Sequence, residues 1–133
     1  AAGLFGATSD VLSIADAVMV PQQAEPLGIR SVPKMLEALT RMKSANPQLV
    51  ILGVVLTMMQ ARLAESRDTA QALRAIMPPG MVMRTVVPRD ALFIRASARG
   101  LPAGVMEEGA PVLNIFDQLR EEIESKLGVL AQF

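Results

Sequence analysis

Apolar residues in this chain follow two patterns that take turns. Short runs rich in Val, Ile, Leu and Met alternate with stretches in which apolar residues recur every three or four positions. The runs predict three strands: Ala17 to Val20, Leu49 to Thr57 and Met81 to Val87. The middle run, LVILGVVLT, has no charged residue, which is how a strand covered on both faces reads. Pro21 and Pro88 are expected to end the first and third strands, and residues 21–30, with two prolines and a glycine, to form a loop.

The periodic stretches predict helices. The first is Thr8 to Ala15, with Leu12 and Ala15 on one side and Thr8 or Ser9 as its cap. The second is capped by Ser31, has Pro33 in its first turn, carries Val32, Met35, Leu36, Leu39 and Met42, and stops at Asn46-Pro47. Leu63 to Met77 bears Leu73, Ile76 and Met77 and is stopped by Pro78-Pro79-Gly80. A short helix spans Asp90 to Ala98 and is broken at Gly100 and Pro102. The last spans Pro111 to Leu127, with the stripe Val112, Ile115, Phe116, Leu119, Ile123 and Leu127 and Gly128 as its C-cap. Strands alternating with helices predict an α/β fold. It is part of a doubly wound parallel sheet, about three strands with helices on both faces and a C-terminal helix.

Composition narrows the chemistry. The 133 residues contain no Cys and no His, so disulfides, thiolates, imidazole bases and the commonest zinc ligands are excluded. Apolar residues make up 51% of the chain, too many for a disordered one. The four aromatics are all Phe, so the core rests on aliphatic residues and nine Met. The longest strongly apolar run, Leu49 to Met59, is too short to span a membrane, and a soluble protein is expected.

The net charge is zero but unevenly placed. Residues 62–99 hold seven Arg (62, 67, 74, 84, 89, 95, 99) against three acids, whereas residues 100–133 hold six acids against Arg120 and Lys126. The basic block reads either as an anion-binding surface or as a solvated helix face offset by the acidic last helix.

In open parallel sheets ligands bind beyond the carboxyl ends of the strands. Three segments fall there: Pro21 to Glu25, Met58 to Arg62, and Pro88-Arg89-Asp90. Met offers a polarisable wall, and a strand-ending proline leaves carbonyls free for a base edge.

The order of these pieces resembles the C-terminal half of the ParA/MinD family, in particular the Soj-like partition ATPases. The family reads ADxVLIPxQxE, then a helix, a strand like GVLLTMxxxR, a further helix, and a strand ending IPRN or IPRD, with G-x-P ten residues on. Here stand Asp16, Pro21, Gln23 and Glu25, then Gly53 to Met58 with Arg62, then Pro88, Arg89 and Asp90, then Gly100 and Pro102. The resemblance covers about residues 3–127. Ala2-Gly3-Leu4 looks like the stretch just after the family's D-x-P-P-x-x-G motif, so the chain is expected to begin inside a P-loop NTPase-like domain. No stretch reads GxxxxGK[ST] or the family's lysine-rich variant. Residues 1–133 are thus expected to be the C-terminal half of one ParA-like ATPase domain that lacks the phosphate loop.

The resemblance implies a cytoplasmic, nucleoid-associated homodimer that uses ATP and Mg²⁺ when complete and binds DNA nonspecifically. It also implies a ParB-like or other adaptor that stimulates hydrolysis, and a plasmid, chromosome or protein cargo. It places Met58, Pro88, Arg89 and Asp90 at the nucleotide, and Arg62, Arg67, Arg74 and Arg95 on DNA, with no catalytic residue and no metal ligand in this part. Glu25 is the one acid in a motif and reads as a helix-entry or loop-bracing carboxylate rather than a catalytic one. Arg84, inside a strand, is expected to pair with an acid. Two departures stand out: Leu92 occupies the position of an Arg common in the family, with Arg95 nearby, and Pro26-Leu27 follow Glu25.

Two alternatives differ in kind. A MinD-like membrane-cycling ATPase needs a basic amphipathic C-terminal helix, whereas this one carries Glu121, Glu122 and Glu124 and ends GVLAQF. A non-enzymatic α/β binding module would have to protect the edges of a three-stranded sheet by itself.

Overall fold

A computed structural model describes residues 7–128. Three strands, β1 (Ala17–Gln23), β2 (Val50–Met59) and β3 (Val82–Pro88), form one parallel sheet in the order β1-β2-β3. The helices are α1 (Ala7–Ile14), α2 (Val32–Ala45), α3 (Ala64–Ile76), α4 (Ala91–Ala98) and α5 (Ala110–Leu127), with 3₁₀ turns at Pro26–Ser31 and Ala103–Val105. The expected α/β architecture is present. The resemblance at residues 2–4 and the tail beyond Gly128 lie outside the described residues.

The periodic stripes become packing faces. Val32 of α2 and Ala70, Leu73 and Met77 of α3 and its end pack with Val54 and Leu56 on one face of the sheet. Leu119 of α5 packs with Val55 and Met83 on the other. Val54, Val55 and Leu56, consecutive along β2, thus serve both faces, which is why this run carries no polar residue. A smaller cluster of Leu92, Ala96, Met106 and Val112 fixes α4 to α5. Of the α5 stripe, Val112 and Leu119 are buried, while Phe116 and Leu127 remain exposed.

Several boundaries differ from the sequence reading for identifiable reasons. β1 does not stop at Pro21 but runs to Gln23, pairing Pro21 with Val55 and Gln23 with Thr57. Among the described residues β1 pairs with β2 alone, and a proline is tolerated here because its missing donor faces away from that ladder. Ser31 does not cap α2: it has helical angles, and its hydroxyl donates to the Gly28 carbonyl at 2.8 Å. The 3₁₀ turn runs straight into the helix instead. Thr8 and Ser9 lie inside α1 rather than ahead of it. α2 ends as expected at Asn46, whose side-chain amide donates to Ala15 O at 3.0 Å and ties α1 to it. Gly128 closes α5 in the left-handed conformation, φ 69°.

Gly53 is required where it stands. It has φ 125°, and a Cβ there would strike the Met81 carbonyl oxygen. The β1–β2 register skips Leu52 at this point, so the glycine accommodates a bulge in the central strand.

Candidate nucleotide and DNA-binding site

The carboxyl ends of the three strands are laced together by the backbone. Ala24 N donates to Thr57 O at 3.0 Å, joining β1 to β2, and Arg89 N donates to Met59 O at 2.9 Å, joining β2 to β3. Ser66, 3% exposed on α3, adds a further tie: its hydroxyl accepts from Gln60 N at 3.0 Å and lies 3.4 Å from Ala24 O. A small hydroxyl at this spot lets α3 approach both strand ends. Nothing in the local sequence marks Ser66 apart from its place on the buried side of α3.

Two clefts open at this edge. One, of about 570 Å³, is lined by Gln23, Thr57, Met58, the segment Val87 to Ala91, and Phe93 and Ile94 of α4. The other, of about 930 Å³, is lined by Met59 to Leu63, Val86, Pro88 to Asp90, and Ile115 of α5. Both fall in the range of small-molecule sites. Met58, Pro88, Arg89 and Asp90 all line the first, and the last three are shared with the second.

Each of the four has a local reason to be where it is. Met58 has φ 55°, a left-handed conformation that an unbranched side chain adopts only under constraint. Its side chain is 38% exposed, so it forms a wall rather than core. Pro88 is the last residue of β3, in register with Met59. Asp90 is the N-cap of α4: Oδ1 accepts from Leu92 N at 2.9 Å. Arg89 is exposed, and among the described residues it forms no ion pair with Asp90 or any other acid. Apolar lining from Met58 and Phe93, with a carboxylate and a guanidinium beside it, suits a heterocycle with polar edges.

Glu25 is exposed beside this edge. With the Gln23 amide turned so that its nitrogen faces the carboxylate, Gln23 donates to Glu25 at 3.2 and 3.3 Å, a brace within the loop. Among the described residues no group of three or more acids could hold a metal ion. No metal step is assigned to the described residues.

The arginines divide between elements. Arg62 lines the broader cleft, in the turn before α3. Arg67 and Arg74 are exposed on one side of α3, and Arg67 Nη1 donates to Ala61 O at 2.7 Å, bracing that same turn. Arg95 is exposed on α4, which packs in a different cluster from α3. The structure thus brings Arg62 and Arg67 to one turn, while Arg95 stands on a separate helix. The Arg84 side chain forms no ion pair among the described residues; its backbone N–H meets the Glu122 carboxylate at 2.7 Å instead. No described helix is long and apolar enough to cross a membrane.

No family model matches the chain. It is similar to the chromosome-partitioning ATPase Soj of Thermus thermophilus, 28% identical over 90% of this chain. It is also similar to the chromosome partitioning protein ParA of Caulobacter vibrioides, 34% identical over 71% of this chain. A third relative is the sporulation initiation inhibitor protein Soj of Bacillus subtilis, 25% identical over 87%. The chain spans 36% to 48% of the length of these curated relatives.

Proposed function

Taking as premise that the chain is a relative of the ParA and Soj chromosome-partitioning proteins, we propose that it forms the C-terminal half of a ParA-like ATPase domain. In this reading it supplies the base side of the nucleotide site and part of a nonspecific DNA surface. The phosphate loop, the Mg²⁺ ligands and the catalytic groups belong to another segment of the domain. The observation that carries the reading is the convergence of Met58, Pro88, Arg89 and Asp90 on one cleft at the carboxyl edge of a parallel sheet.

The chain's own residues have definable tasks. Met58 and Phe93 exclude water from one side of a bound base. Asp90, while capping α4 through Oδ1, presents a carboxylate that accepts from an exocyclic amine. Arg89 supplies positive charge near the ribose or phosphates. ATP binding would favour a homodimer, and the dimer would neutralise DNA phosphates through Arg62, Arg67, Arg74 and Arg95. Such binding does not depend on base sequence. A ParB-like adaptor would stimulate hydrolysis, and the protein would work at the nucleoid in the cytoplasm on a plasmid, chromosome or protein cargo.

The test is a nucleotide titration of the protein joined to a phosphate-loop half. Pro88→Ala combined with Asp90→Ala should raise the nucleotide dissociation constant at least tenfold, on the order of 1.4 kcal/mol. Asp90→Asn, which retains an acceptor for the helix cap, controls for stability. Unchanged nucleotide affinity in the double variant would remove the assignment.

A further inference from the structure

Helix α5 carries one acid on its buried side. Glu122 is 8% exposed and lies between Leu119 and Ile123, which pack with Val55 and Met83 under the sheet. Its two oxygens accept from consecutive backbone N–H groups of β3: Arg84 N to Oε2 at 2.7 Å and Thr85 N to Oε1 at 2.9 Å. Consecutive N–H groups of a regular strand point to opposite sides. Here they converge on one carboxylate because β3 is irregular. Val54 pairs with Val82 and Leu56 with Val86, so two steps along β2 correspond to four along β3. The extra residues form a bulge, and Glu122 satisfies its donors.

The electrostatics agree with the geometry. Burial works to raise the Glu122 pKa, but the backbone donors of Thr85 and Arg84, the Thr85 hydroxyl and the charge of Lys126 outweigh it and hold the group below its ordinary value. An ionised carboxylate receiving two backbone N–H groups is a stronger tie than a neutral one. The strand it grips leads within a few residues to the cleft: Pro88 ends β3, and Arg89 N bonds Met59 O. The same helix reaches the broader neighbouring cleft, which shares Pro88, Arg89 and Asp90, through Ile115.

We infer that Glu122 is a positioning residue: by clamping the β3 bulge at Arg84 and Thr85, it sets where Pro88, Arg89 and Asp90 stand against Met58 and Met59. Its functional meaning rests on reading that cleft as a nucleotide site, but its geometry does not. If Glu122 served only general packing, its loss would loosen all strand ends alike. As a clamp, its loss acts on β3 beyond the bulge and spares the β1–β2 junction.

Amide hydrogen exchange on the 133-residue chain separates the two. Glu122→Gln keeps the size of the side chain and one acceptor oxygen, Glu122→Ala removes both acceptors, and Glu121→Ala on the exposed neighbouring position is the control. Expected is a fall in protection of about tenfold at Thr85 and at Arg89 in Glu122→Gln, with Ala24, bonded to Thr57 O, at its native value. If Glu122→Ala fails to fold, Glu122→Gln decides. Unchanged protection at Arg89, or an equal fall at Arg89 and Ala24, overturns the inference. The exchange is measured without nucleotide, so a failed nucleotide titration leaves the clamp standing, and a failed clamp leaves the nucleotide site standing.

Discussion

Met58 sits where backbone conformation and cleft meet. Its φ of 55° costs roughly 1 kcal/mol or more for a residue with a side chain, and the cost falls at the mouth of a cleft rather than in a turn. Met58→Gly should therefore leave stability within about 1 kcal/mol of the native protein, because relief of the backbone offsets lost contacts. The same change should weaken nucleotide binding; urea denaturation and nucleotide titration read the two effects separately. The strain is not legible in the sequence, since a methionine near a strand end is ordinary. Asp90 is half legible: the sequence reading takes it as the first residue of the helix, whereas it stands one position ahead as the N-cap, a place Asp favours. Glu122 carries a fainter signal: it is a charge within the apolar stripe of α5, three residues after Leu119. Its folded pKa lies below the ordinary 4.5. Its contribution to stability is thus full above the unfolded value and is lost as pH falls through the folded one. The gap in urea midpoint between the native protein and Glu122→Gln should be widest at neutral pH and should close as pH falls below the ordinary carboxylate range.

At the scale of elements, α3 separates two tasks around its axis. Ser66, Thr69, Ala70 and Leu73 face inward, and Arg67 and Arg74 stand outside. Replacing both arginines with Ala should change stability by no more than about 1 kcal/mol, most of it from the lost Arg67 bond to Ala61 O. In the protein completed by a phosphate loop, the same pair should weaken DNA binding for every sequence alike and flatten its salt dependence by about two units of slope. DNA affinity measured across a salt series checks this. All three strands and all five described helices are legible to within a few residues, because each repeats one period long enough to be read. The two 3₁₀ turns are not, since they rest on a few short-range bonds such as Gly28 N to Glu25 O and are too short to show a period. The bulges at Leu52 and at Arg84-Thr85 are hidden for another reason. They depend on how two strands line up, which one strand's sequence does not state.

At the scale of the whole molecule, alternation of strands and helices foretells a parallel sheet with helices on both faces, and clusters on opposite sides of β2 show it. The arrangement of the arginines is less legible, because charge counted along the chain does not say that α3 and α4 pack in different clusters. The described residues offer a cleft at the carboxyl ends of the strands and no group of three or more acids for a metal ion. Incubated alone with ATP and Mg²⁺, the chain should release no phosphate above a buffer blank, and metal-dependent release would place hydrolysis within it. The proline in β1 has a wider consequence. Ala24 N turns toward β2, so by alternation Val20 and Gln22 do too, and the ring of Pro21 turns to the open flank. Any additional strand laid along that flank finds a donor at Met19 and none at Pro21. Such a strand would lack one ladder bond level with Val55, two residues before the Gln23 that lines the cleft. One missing hydrogen atom thus leaves a gap in the row of donors this flank offers to any neighbour.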